Sequence, residues 1–240
     1  MKRKRLDVAL VERGLAESRS QAQALVLAGR VKGFSKAGEP VGDDVALELT
    51  EAPRFVSRGG EKLAHALTEL GVDVAGADCL DVGASTGGFT DCLLQAGAAR
   101  VVALDVGYGQ LHPRLREDPR VTVLERTNVR DLRCEDLPFR PGVVTCDVSF
   151  IGLAKALPPA LACVAPGWRA VVLVKPQFEA GPADVGRGGV VRDPEVRRRV
   201  LDEVVALAPV WGARVLGVVE SPLRGPKGNV EYLLQLEEAS

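Results

Sequence analysis

The sequence predicts an α/β protein, an open, doubly wound sheet with a small module at its head. Three observations lead there. Seven apolar runs of strand length, "CLDVGA", "RVVALDVG", "VTVLER", "GVVTCDVSF", "RAVVLVKPQF", "ARVLGVVE" and "EYLLQLEE", follow one another with helix-like segments between most of them. Most are continuous Val/Leu runs, the mark of parallel strands covered on both faces. The 240 residues suffice for one sizeable core plus a small module, and 46% hydrophobic with 26% charged residues is ordinary for a globular chain.

Composition also narrows the setting. The longest apolar runs, such as "AVVLV", fall far short of the ~20 residues a membrane helix needs. No apolar signal core follows the basic start, so the expected location is the cytoplasm, with no membrane partner. Five scattered cysteines (Cys79, Cys92, Cys134, Cys146, Cys163) contain no C-x-x-C pair. They are expected to be buried, reduced thiols, neither metal ligands nor disulfides.

The net charge of −1 hides an asymmetry, because residues 1–36 carry nine Lys/Arg against three acids, or +6, and the remainder carries −7. A clustered cationic head on an acidic body suits a polyanion, although a solvated helix face would give the same count. In "RLDVALVERG", Leu6, Ala9, Leu10 and Arg13 have helical spacing and Gly14 is placed to stop the helix. In "AESRSQAQALVLAGRV", Ser18 and Gln21 have capping-box spacing, Ala22, Leu25 and Val26 share a face, and Gly29 is the stop. The strand-like "RVKGF", the turn "KAGEP" and a second strand, "DVALELT", complete the head. This order, with "RLD…ERGLAESRSQAQALVLAGRVKG", resembles the RNA-binding domain of the ribosomal protein S-four type. The resemblance implies that Arg5, Arg19, Arg30 and Lys32 lie on the face that meets RNA. The head is expected to span residues 1–52, followed by a linker over 53–60, where a proline and a glycine pair interrupt the pattern, and by the body over 61–240.

The first strand of the body runs into "CLDVGASTGGFTD", which contains a literal G-x-S-x-G. A serine hydrolase of this fold needs a histidine downstream of the elbow, and the last 128 residues contain none. A P-loop needs Lys where Phe89 stands, and a dinucleotide fingerprint needs G-x-G-x-x-G. What remains is D-x-G-x-x-x-G-G between strand and helix, with Asp105 ending the next strand, where its carboxylate can accept two ribose hydroxyls. That is the pattern that holds S-adenosylmethionine, through Gly83, Ser85, Gly87 and Phe89, Asp105, and Asn128 at the end of the third strand. A tight strand-to-helix turn is the plain structural alternative.

Four further residues sit where a sheet protein places chemistry: Lys62 in the first helix of the body, Asp147 and Lys175 at strand ends, and Glu231 before the last strand. A lysine between five apolar residues and a proline needs a partner or a function. In order and context, Lys62, Asp147, Lys175 and Glu231 match the K-D-K-E tetrad of the FtsJ-like RNA 2′-O-methyltransferases. With "SRGGEKL", "LVKPQFEAG", "GVVRD" and "GPKGNVEYLL", the chain over residues 3–238 resembles the TlyA-type hemolysin/ribosomal RNA methyltransferase family.

The resemblance implies a Rossmann-like class I methyltransferase domain with a seven-stranded sheet. It also implies methyl transfer from S-adenosylmethionine to the ribose 2′-hydroxyl of cytidine in ribosomal RNA, within ribosomal subunits and without a metal. Family members act on both subunits or on the large one alone; the chain ends nine residues after Glu231, which points to the large subunit. Lys175 is the expected base or fixed cation, with Lys62 as a neighbouring cation and Asp147 and Glu231 orienting the two ammonium groups; Asp147 also serves the cofactor. Arg224 and Lys227 could clamp phosphates or form a plain exposed basic loop. Two other functions remain open: a cofactor-bearing, RNA-binding assembly factor without turnover, and a hemolysin, for which the sequence offers neither a spanning segment nor an amphipathic strand array.

Overall fold

The computed structural model describes residues 3–27, 29–51, 53–225 and 227–239. The chain divides into two compact units after Pro53.

In the head, a two-residue strand β1 (Lys4–Arg5) pairs antiparallel with β2 (Pro40–Val41), and between them lie the helices α1 (Leu6–Glu12) and α2 (Arg19–Leu27). The predicted apolar positions become a small core of Leu6, Ala9, Leu10, Ala22, Val26, Val31 and Val41. Gly14 and Gly29 follow the helices with positive φ, as helix stops do. Ser18 Oγ accepts the Gln21 N–H, while the Gln21 side chain reaches back to the Glu17 N–H, one residue before the expected partner. The two strands expected at "RVKGF" and "DVALELT" shrink to a single bridge, Val31 to Leu49, flanked by hydrogen bonds between Lys32 and Glu48 and between Thr50 and Arg30. The chain turns at Lys32–Gly33, where a bond from Phe34 N–H to Val31 O closes the turn and leaves no length for a ladder.

The expected linker is also shorter than its composition suggests. Phe55 is buried, the Val56 N–H donates to Asp91 Oδ2 at 2.8 Å, and residues 58–60 already form the first turn of α3 (Arg58–Glu69). The glycine pair, a breaker by composition, is helical because Phe55 lies against Gly60, where a Cβ would sit 2.3 Å from the ring.

The body then alternates β3 (Asp78–Val82), α4 (Gly88–Gln95), β4 (Arg100–Leu104), α5 (Pro113–Arg116), β5 (Val121–Leu124), β6 (Val143–Cys146), α6 (Leu153–Leu161), β7 (Arg169–Val174), α7 (Pro176–Glu179) and α8 (Pro194–Val205), and ends in β8 (Ala213–Glu220) and β9 (Tyr232–Glu238). All seven predicted strands form one sheet in the order β5-β4-β3-β6-β7-β9-β8. The five strands from β3 to β7 are parallel, and β9 runs antiparallel between β7 and β8. Alternate residues feed two cores. Leu80, Val82, Val144 and Val172 pack with Leu153 and Leu157 of α6, while Cys79, Val101, Val143 and Val171 pack with Leu63 of α3 and Leu93 of α4. The strand order reverses between β3 and β6, and a crevice at their carboxyl ends is where such sheets bind ligands.

One cysteine expectation is corrected. Cys134 and Cys163 form a disulfide, with Cα atoms 4.8 Å apart, because the segment after β5 folds back over the end of α6. Their separation of 29 residues carries no sign of that meeting. Cys79, Cys92 and Cys146 are buried thiols, and burial pushes Cys79 and Cys92 up to about 12. Among the described residues no helix is long and apolar enough to cross a membrane, and no cluster of metal-ligating side chains occurs.

Candidate cofactor and acceptor site

The loop from β3 to α4 turns beneath the end of β6. Gly83 has φ +83°, and a Cβ there would lie 2.5 Å from the Asp147 carbonyl oxygen, so only glycine permits the two segments to touch. Ser85 has φ +49°, and its N–H donates to Asp105 Oδ2 at 2.7 Å. The Gly107 N–H donates to Asp105 Oδ1 at 2.6 Å. Each carboxylate oxygen thus holds one backbone donor and keeps lone pairs for a further donor, as a ribose diol requires. Asn128 Oδ1 accepts the Arg130 N–H and caps a short 3₁₀ turn.

Two adjoining cavities open here. The larger, about 790 Å³, is walled by Gly83, Ser85, Asp105, Asn128 and Asp147, with Val106, Phe150 and Phe178 supplying apolar surface. The smaller, about 480 Å³, is lined by Lys62, Phe89, Asp147 and Lys175 and shares Gly83, Ser85 and Ser149 with the first. Gly87 borders neither. Its φ of +95° and a Cβ position 2.3 Å from Leu115 give it a packing role. Phe89, 3% exposed, belongs mainly to the core.

The tetrad assembles as two ion pairs. Lys62 Nζ bonds Glu231 Oε2, and both are buried. Lys175 Nζ lies 2.6 Å from Asp147 Oδ1 and donates to Ser149 Oγ at 3.0 Å. Asp147 Oδ1 is buried against that ammonium group, and the residue lines both cavities. Glu231 arrives because β9 is reversed. Its first residue, Tyr232, pairs with Val174, the last of β7, so a residue before one strand meets a residue after the other. The cation expected beside Lys175 lines the same cavity, and each lysine has a carboxylate of its own.

Two further residues, not among the predicted site residues, shape the site. Asp81, the acid of "DVG", is fully buried below the loop, with Thr90 and Thr145 hydroxyls on its two oxygens. Burial pushes its carboxyl up to about 6, against the pull of those two bonds. Phe150, with φ +67°, is 91% exposed at the rim of the larger cavity, and its ring lies 5.1 Å from that of Phe178. "SF", two residues past the strand-end aspartate, was the available signal.

In the head, Arg5 and Arg19 meet on one carboxylate, that of Asp7. Arg30 instead donates to the Thr50 carbonyl, and Lys32 pairs with Glu48 at the surface. Arg224 and Lys227 are spread over an exposed loop, where the Arg224 carbonyl accepts from Arg58.

Comparison with known proteins agrees in outline. The sequence profile of the FtsJ-like methyltransferases matches residues 55–238, and that of the S4 domain matches residues 4–32. The chain is 52% identical to the 16S/23S rRNA (cytidine-2′-O)-methyltransferase TlyA of Mycobacterium tuberculosis, over 98% of this chain and 90% of that one. It is 34% identical to the 23S rRNA (cytidine-2′-O)-methyltransferase TlyA of Campylobacter jejuni, over 74% and 69%. A solved Streptococcus thermophilus protein named for the hemolysins superposes with a TM-score of 0.78 at 42% identity, covering 100% of this chain and 90% of that one.

Proposed function

The chain belongs to the FtsJ-like methyltransferase family, and we propose that it methylates the ribose 2′-hydroxyl of cytidine in ribosomal RNA, using S-adenosylmethionine. One observation carries the reading: two cavities meet at Asp147, one with a free-faced ribose acceptor, Asp105, and the other with two buried lysines. A hydrolase or a simple RNA-binding module requires no such pair.

The residues present fit the cofactor. Asp105 offers lone pairs to a diol, Gly83 lets the loop pass close under Asp147, and Asp147 itself lines both cavities. When bound, S-adenosylmethionine supplies a methyl group activated by a sulfonium. The protein's part is to align and to handle a proton. Lys175, held between Asp147 and Ser149, presents its amino group where the smaller cavity receives the acceptor ribose. It serves either as the base for the hydroxyl proton or as a positive charge facing the forming alkoxide. Lys62, fixed by Glu231, is the second cation on that surface. Phe150 offers an exposed aromatic face at the rim for an unstacked base. The head, with Arg5 and Arg19 outward, adds the phosphate-binding contribution.

Both named methyltransferase relatives include 23S rRNA in their description, so the large subunit is the first substrate to test. Purified protein is given methyl-labelled cofactor and each ribosomal subunit from a strain lacking the gene, and ribose methylation is mapped by mass. Label on a cytidine ribose is expected. Tight subunit binding with no label would favour the assembly-factor reading. Lysis of erythrocytes by the purified protein would favour the hemolysin reading.

A further inference from the structure

The wall of the larger cavity from Asp147 to Gly152 is a loop, and one short element grips it along its length. That element is α7, which begins directly after Lys175. Lys175 Nζ donates to Ser149 Oγ at 3.0 Å, Phe178 packs on Phe150 at 5.1 Å, and Glu179 Oε1 accepts the Leu153 N–H at 2.9 Å. Three successive contacts thus run in register between residues 175–179 and 149–153.

The last contact replaces something the loop lacks. Gly152 is the N-cap of α6 and has no side chain to satisfy the first-turn N–H groups. Glu179 supplies the acceptor from outside, and its charge suits the positive end of a nine-residue helix. The fit is close, since a Cβ on Gly152 would stand 3.1 Å from Glu179 Oε2. Glu179 is partly buried, and burial raises its carboxyl above the usual range while the Leu153 bond opposes the rise.

We infer that Glu179 is a positioning residue: by clamping the start of α6 to α7, it sets the 147–152 wall of the cofactor cavity and the placement of Lys175 with one element. The inference rests on the cofactor reading for its ligand readout, but the clamp itself has a readout without ligand.

The test uses the full chain with Glu179→Ala, Glu179→Gln and Gly152→Ala. The amide of Glu179→Gln keeps an oxygen for the Leu153 N–H, whereas Gly152→Ala displaces the carboxylate without removing it. In the free protein, amide exchange over residues 148–153 is expected to accelerate in Glu179→Ala and Gly152→Ala and to stay near wild type in Glu179→Gln. By calorimetry, affinity for S-adenosylhomocysteine is expected to fall about tenfold in the first two and to recover in the third, in line with the loss of one helix cap. Unchanged exchange in Glu179→Ala, or failure of Glu179→Gln to restore it, overturns the clamp. Faster exchange with unchanged S-adenosylhomocysteine affinity reduces Glu179 to a local stabiliser and overturns the positioning role. A wild type that binds no S-adenosylhomocysteine would instead sink the cofactor reading, with the exchange result still deciding the clamp.

Discussion

The two units handle charge in opposite ways. In the head, one occluded carboxylate, Asp7, gathers Arg5, Arg19 and Gln23, and the two arginines remain more than half exposed. In the body, Lys62 and Lys175 are themselves about nine-tenths buried, each against a single carboxylate. Asp7 is hidden by its own partners in a small module, not by depth. Its carboxyl is held well below the usual range, chiefly by the Arg5 hydrogen bonds. On the proposed reading, the difference separates binding from chemistry. Guanidinium groups stay charged at any physiological pH, so arginines fixed outward make a standing positive surface. A lysine buried against one carboxylate is costly to desolvate, and on the proposed reading it is kept for the methyl-transfer step.

The largest expected effect breaks the body's side of that contrast. Lys175→Ala should lower single-turnover methyl transfer by about a thousandfold, the scale of losing a charge or proton acceptor at a reacting centre. Affinity for S-adenosylhomocysteine should change little. Substantial turnover by the alanine variant would exclude both roles for Lys175. Activity in Lys175→Arg with none in Lys175→Ala would mark fixed charge over proton transfer.

A second comparison lies between Asp7 and Asp81, both occluded, one with cations and one with the neutral donors of Thr90 and Thr145. Asp81 has a folded-state value of about 6 against an ordinary 3.8, so its stabilising contribution is present below about 3.8 and lost as pH rises through 6. Asp81→Asn should remove that loss. Relative to wild type it should gain stability between pH 4 and pH 7, by up to about 3 kcal/mol, read from urea midpoints. A difference that does not change with pH would show that Asp81 does not titrate in this range.

Much of the body was legible because its signals are local. Short apolar runs, most of them continuous in Val and Leu, marked all seven strands, and acids or lysines at their ends drew attention to Asp105, Asp147 and Lys175. What escaped depends on distant segments meeting. The disulfide needs the loop after β5 to reach the end of α6, and which acid takes which lysine, Glu231 on Lys62 and Asp147 on Lys175, follows only once β9 is seen to reverse. Gly87 shows the same limit, since a glycine in a cofactor-like loop and one that admits Leu115 look the same in sequence. In the head, "RVKGF" has strand composition, but its glycine carries the turn that ends it.

The smallest effect tests the head by itself. Asp7→Asn keeps an acceptor for Gln23 or an arginine but removes the charge that holds both guanidinium groups, so Arg5 and Arg19 regain rotamer freedom that RNA binding must then take away. RNA affinity at moderate salt should fall about threefold to tenfold, with the salt slope nearly kept because no cation is lost. S-adenosylhomocysteine affinity should be untouched. Asp7 has a depressed value, so its contribution is present above about 3.8 and fades as pH falls below that, the reverse of Asp81. The stability gap between wild type and Asp7→Asn should therefore narrow on acidification. A tighter-binding Asp7→Asn would mean that the carboxylate restrains the arginines by neutralising them, and the head would then bind RNA through charges released from Asp7, not ordered by it.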